Sequence, residues 1–131
     1  MTTLLLTLFI CMLLPYLAKA PLVVAMHRQP GGYDNHNPRE QQAGLQGFGQ
    51  RANAAHYNSF EALVIYACAV LAVAISGTID GFTEALAWLF VLSRLGYLLC
   101  YWFDLASLRS IIWVVGMASA LTMVGRAIFG S

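Results

Sequence analysis

The stretch RANAAHYNSFEALVIYACAVLAVAI, residues 51–75, decides how this chain folds. Its second part, residues 62–75, is a purely apolar run of 14 residues. A helix needs about 20 mostly apolar residues to cross a hydrocarbon core roughly 30 Å thick. Fourteen are too few, so the helix must recruit the polar residues that precede it, from Arg51 to Glu61. Ionisable chemistry is thereby drawn to membrane depth, where a charged group costs about 2.5–3.5 kcal/mol on insertion scales and normally faces a bundle interior or a wet cavity.

The rest of the chain agrees with a membrane setting. Of 131 residues, 60% are hydrophobic and only 10% charged, against about 25% charged in soluble domains; the mean hydropathy is +0.69. So few charges cannot coat a soluble surface, and so apolar a composition is not that of a disordered chain. Seven Lys+Arg against six Asp+Glu leave a net charge of +1, which gives no electrostatic basis for binding nucleic acid. Four spans are expected, over residues 3–26, 51–76, 82–103 and 108–128, with a loop over 27–50. The fold expected for residues 1–131 is therefore a single all-α domain, an integral membrane four-helix bundle in contact with lipid. Ala18-Lys19-Ala20 imitates a signal cleavage site, but no charged n-region precedes it and Pro21 would directly follow the cut, so the first segment reads as a span.

Basic residues set the expected orientation. Arg28, Arg39 and Arg51 border the loop between the first two spans, and Arg109 lies at the turn between the last two; the opposite side holds only Arg126. The positive-inside rule then puts both termini on the non-cytoplasmic side. Within the loop, Asn37-Pro38-Arg39-Glu40 reads as a helix start, weakened further on by Gly44, Gly47 and Gly49. Cys11, Cys68 and Cys100 lie in apolar runs without paired spacing and read as packing residues, and His27 and His36 have no third ligand, so no metal site is expected.

Two intramembrane charges stand out. Glu61 lies 14 residues from Ile75 and Arg94 lies 12 from Phe82, roughly 21 and 18 Å from the non-cytoplasmic ends at 1.5 Å per residue. Matched depth makes them partners in a polar cluster. Arg51, Asn58 and Glu61 share one side of the second span, and Arg94, Tyr97, Tyr101 and Asp104 form a drifting stripe on the third. On spacing alone the pair serves equally well to fix helix register.

The run Arg51-Ala52-Asn53-Ala54-Ala55-His56-Tyr57-Asn58-Ser59-Phe60-Glu61, opening a second span after Asn37-Pro38-Arg39, resembles bacterial members of the MAPEG family, the membrane-associated proteins of eicosanoid and glutathione metabolism. The pattern Arg94-x-x-Tyr97-x-x-x-Tyr101 followed by Arg109-Ser110 is similar to the prostaglandin E and leukotriene synthases of that family. The resemblance implies a four-helix protomer that assembles as a homotrimer and binds glutathione between subunits near the cytoplasmic side. It implies that Glu61 holds the ligand's amine, that Asn58 adds hydrogen bonds, that Tyr97 and Tyr101 line the site, and that Arg109 approaches the thiol. Position 54 departs from the pattern: the synthases usually carry an arginine there, and this chain has Ala54. Arg51, Arg28 and Arg39 are the expected substitutes. Introducing arginine at position 54 is expected to tighten glutathione binding if Arg51 has not taken over that role.

The function that this reading implies is a glutathione-dependent transferase, with peroxidase activity as a second outcome, acting on lipophilic electrophiles in a bacterial inner membrane. Arg109 would stabilise the thiolate, and Ser110 or a tyrosine hydroxyl would donate a second bond. Two other classes compete. One is a catalytically silent scaffold with the same fold. The other is a small proton-coupled drug transporter, disfavoured because the arginine bias gives one orientation and Arg94 offsets the free acid that proton coupling requires.

Overall fold

The computed structural model describes residues 1–130. Five helices follow one another: α1 over Thr2–His27, α2 over Pro38–Ala43, α3 over Phe48–Ser76, α4 over Gly81–Trp102 and α5 over Ala106–Phe129. Four of them, all but α2, are long and apolar enough to cross a membrane. The chain is an integral membrane protein, helical throughout its regular structure among the described residues.

α3 begins at Phe48, three residues before the expected Arg51, because Gly47 adopts a left-handed φ of 56° that turns the loop sharply into the helix. Its 29 residues extend about 44 Å at 1.5 Å per residue, longer than the hydrocarbon core. The polar segment from Arg51 to Glu61 is thus continuous helix with the apolar run that follows it. The expected helix start at Asn37 is present but short: α2 stops before Gly44, and Asn37 makes no side-chain cap bond.

α1 packs against α3, α4 against α5, and both α1 and α5 touch the neighbouring pair, giving an up-down bundle. Its centre is Tyr66, fully buried and stacked on Phe90 with ring centroids 4.3 Å apart. The Tyr66 hydroxyl donates to Thr7 Oγ1 at 2.6 Å, so burying this phenol leaves no lone polar atom. Nothing in the sequence pattern marked Tyr66 as central. Ten residues nearer the loop end, buried His56 Nδ1 donates to the Pro15 carbonyl at 2.8 Å and ties α3 to α1 beside a proline that does not end the helix. Cys11 and Cys100 are buried as expected for packing residues, whereas Cys68 is exposed on the outer face of α3.

The α4–α5 contact is built from small residues, as helix pairs in lipid usually are. Ser93 of α4 meets Gly116 of α5, and both are buried; Ser119 and Ala120 of α5 are buried too. At the end of the bundle that holds the N-terminus, Asp80 caps α4 by accepting the Thr83 backbone N–H at 2.8 Å, and it also takes the Arg126 guanidinium at 2.6 Å. That backbone bond, and then Arg126, hold the Asp80 carboxyl below the usual carboxylate range.

A Cβ added at Gly116 would collide with Ser93 Oγ, while the Ser93 Cβ would stay at 3.4 Å. Gly116→Ala is therefore expected to destabilise the bundle by about 1–3 kcal/mol, the usual range for overpacking. Combining it with Ser93→Ala should recover most of that loss in detergent melting. Equal losses in the single and double variants would show that the helices do not meet at this point.

Candidate functional site

α3 and α4 run antiparallel and bring their polar faces together. Arg94 on α4 is only 4% exposed, and its Nη2 donates to Asn58 Oδ1 on α3 at 2.7 Å. Asn58 in turn donates through Nδ2 to Glu61 Oε2 at 3.0 Å. Glu61 and Arg94, expected to share a polar cluster, are joined through Asn58 and make no direct ion pair among the described residues. Asn58 stands between them, because an amide offers both an acceptor and donors and can satisfy a cation on one side and an acid on the other. Glu61 is left exposed on the outer face of α3.

From Arg94 a column of rings and cations runs toward the loop end. The Arg94 guanidinium carbon lies 4.1 Å from the Tyr97 ring centroid. Tyr97 meets Tyr101 edge to face at 5.2 Å, and the Arg109 guanidinium lies 4.2 Å from the Tyr101 centroid. The i, i+4 spacing of the two tyrosines puts them on one face of α4, and Arg109, at the first turn of α5, reaches back over that face. Guanidinium groups over aromatic faces are attracted by the ring quadrupole, and the attraction grows where water is excluded.

Tyr97, Tyr101, Arg109, Ser110, Trp113 and Val114 line a cavity of about 290 Å³. Four of these were foreseen from the sequence. Trp113 and Val114 were not, although they lie four residues beyond Arg109 and Ser110 respectively and so share their face of α5. A larger and more open concavity of about 710 Å³ lies in the loop around Tyr33, Asp34 and His36, and none of the expected site residues lines it.

Two expected site residues lie elsewhere. Arg51 donates from Nε to the Tyr101 carbonyl at 3.1 Å and lies 3.9 Å from the Asp104 carboxylate. It is tied to the carbonyl end of α4, where a cation is favoured, and is not directed at Asn58 or Glu61. Asp104, at the end of the α4 stripe, occupies the turn after the helix with a left-handed φ of 58°, while the Leu105 N–H bonds back to the Cys100 carbonyl at 2.8 Å. Arg28 is exposed at the end of α1 and borders a separate small cavity with Gln46 and Phe48.

The bridge makes a specific prediction. Asn58→Leu should leave Arg94 buried without its amide partner and lower the detergent melting temperature more than Glu61→Gln does, because Glu61 is exposed. In a double-mutant cycle, Arg94→Leu and Asn58→Leu should couple by about 1 kcal/mol or more. Additive losses would break the proposed contact.

No curated protein and no solved structure matches this chain. The family model does match it, over residues 3–129, which takes in all four spans and the α2 loop helix. The match spans nearly the whole chain, and the chain belongs to the MAPEG family.

Proposed function

We propose that this protein is a membrane-embedded, glutathione-dependent transferase acting on lipophilic electrophiles. The observation that carries the reading is the placement of Arg109: a half-buried guanidinium held over the Tyr101 ring, at the wall of a cavity shared with Tyr97, Ser110 and Trp113.

The residues present fit the ligand. Glutathione carries two carboxylates, an ammonium and a thiol, and the exposed Glu61 carboxylate backed by Asn58 offers an acceptor for the ammonium. When bound, glutathione supplies the nucleophilic sulfur. A free thiol with pKa about 8.5 is only slightly ionised at pH 7, and each unit of depression needs about 1.36 kcal/mol of preferential stabilisation of the anion. A fixed guanidinium at the sulfur supplies such stabilisation, and it is strongest where water is excluded. Arg109 is already held in place by Tyr101, so little reorganisation is needed as negative charge develops. The Ser110 hydroxyl, now bonded to the Ala106 carbonyl at 3.2 Å, is one rotamer away from donating a second bond. Trp113 and Val114 are exposed on the outer side of α5 and give an apolar electrophile a lateral route from the bilayer into the cavity.

A volume of about 290 Å³ lies at the bottom of the range of roughly 300–1,000 Å³ for small-molecule sites. One protomer therefore encloses only part of a tripeptide and its electrophile. Glu61 also faces outward at membrane depth, where an uncovered carboxylate is costly. Both points support an assembly in which a neighbouring subunit closes the site, and the homotrimer is the form that the family resemblance implies. The crowding of Arg28, Arg39, Arg51 and Arg109 at the loop end supports an inner-membrane orientation with that end in the cytoplasm.

Glutathione is expected to raise the melting temperature of the detergent-solubilised protein with concentration, because it binds only the native state; a silent scaffold or a transporter would show no such shift. Arg109→Ala should lower turnover of a chloronitroaromatic electrophile by about a hundredfold with modest change in glutathione affinity, the mark of an interaction formed as charge develops. Unaltered turnover and pH profile in that variant would remove Arg109 from the chemistry and point to Ser110, Tyr97 or Tyr101.

A further inference from the structure

The loop helix α2 carries a cation to the face of α3 that holds Asn58 and Glu61. Arg39 Nη1 donates to the Tyr57 hydroxyl at 2.8 Å. Tyr57 lies one turn before Glu61 on α3, and Ala54 lies three residues before Tyr57. Ala54 ends at its Cβ.

Arg39 is held there by a clamped loop. Gln41 of α2 donates to the Gly32 carbonyl at 2.8 Å and the Met26 carbonyl at 3.3 Å, and accepts the Asp34 backbone N–H at 3.0 Å. Gln42 is buried with its amide 3.7 Å from Met26 Sδ. The charge is uncompensated as well. Among the described residues Arg51 is paired with Asp104 and Arg126 with Asp80, whereas the partner of Arg39 is a neutral phenol. Of the three arginines that could serve this face, Arg51 is engaged at the end of α4 and Arg28 borders a different cavity. Arg39 alone combines a free charge with contact to the α3 face.

We propose that Arg39, steadied by the Tyr57 hydroxyl, is the cation that receives the ligand's distal carboxylate, at the opposite end of the ligand from the ammonium taken by Glu61. Glu61 and Tyr57 are four residues apart, about 6 Å along the axis at 1.5 Å per residue. The two charges are therefore set apart along α3, one for each end of a peptide thiol. The assignment rests on the glutathione reading and adds to it a residue that selects for the free glycine carboxylate from the loop and not from the span.

The test is calorimetric titration of the full-length protein in detergent with glutathione and with its glycine monoethyl ester, which lacks the distal charge. The wild type should prefer the acid by roughly tenfold or more, the usual effect of one charge-assisted contact. Arg39→Ala, an exposed position, should bring the acid down to the affinity of the ester and leave the ester unchanged. Glu61→Gln should weaken both ligands alike. A wild type that binds neither ligand would overturn the proposed function itself. An Arg39→Ala variant that binds glutathione and keeps the acid preference would overturn only the assignment of Arg39. Loss of that preference in Glu61→Gln would overturn the two-ended arrangement.

Discussion

A guanidinium only 4% exposed between apolar helices imposes a condition on everything near it. Arg94 cannot be left without partners at membrane depth, where an unpaired buried charge is among the most destabilising features a fold can contain. Asn58 and the Tyr97 ring meet that condition from two directions. The amide fixes the register of α4 against α3, and the ring fixes the start of the column that ends at Arg109. The outward exposure of Glu61 follows from the same arrangement: Asn58 reaches it across the helix surface, so the acid remains available on the outer face.

The two ends of the bundle use their charges differently. At the end that holds the N-terminus, Asp80 and Arg126 meet at 2.6 Å beside the Thr83 capping bond, and Met1 lies 3.9 Å from Glu84. Those contacts join α4 to α5 and to the start of α1, and they close the structure. At the loop end, Arg28, Arg39 and Arg109 have no carboxylate partner among the described residues, and Arg51 alone is drawn into holding the turn after α4. An excess of unpaired cations at one end favours anionic ligands there. It is also what the positive-inside asymmetry of the sequence becomes once the chain is folded.

Hydrophobic length made the four spans and the recruitment of Arg51–Glu61 into α3 legible in the sequence, because each rests on local composition and helical rise. The shared polar surface of α3 and α4 was also legible, since helical spacing puts Asn58 and Glu61, and Tyr97 and Tyr101, on common faces. The bridging role of Asn58 was not, because depth matching locates two charges along the membrane normal but says nothing of what lies between them. Arg51 shares a face with Asn58 by spacing, yet a long side chain goes to the nearest strong acceptor, here the unsatisfied carbonyl end of α4 and Asp104. Tyr66 looked unremarkable because its partners, Thr7 and Phe90, come from two other helices. Trp113 and Val114 could have been found by carrying the wheel of Arg109 and Ser110 one turn further.

In the function we propose, this membrane face holds a thiol and lowers its pKa by means of a fixed guanidinium. Ultraviolet thiolate absorbance of glutathione bound to the wild-type protein, followed against pH, tests it most directly. The titration midpoint is expected below the free-thiol value of about 8.5, with the anion already present at neutral pH. A bound thiol that titrates at its free value, or a ligand whose absorbance is unchanged by the protein, would contradict it.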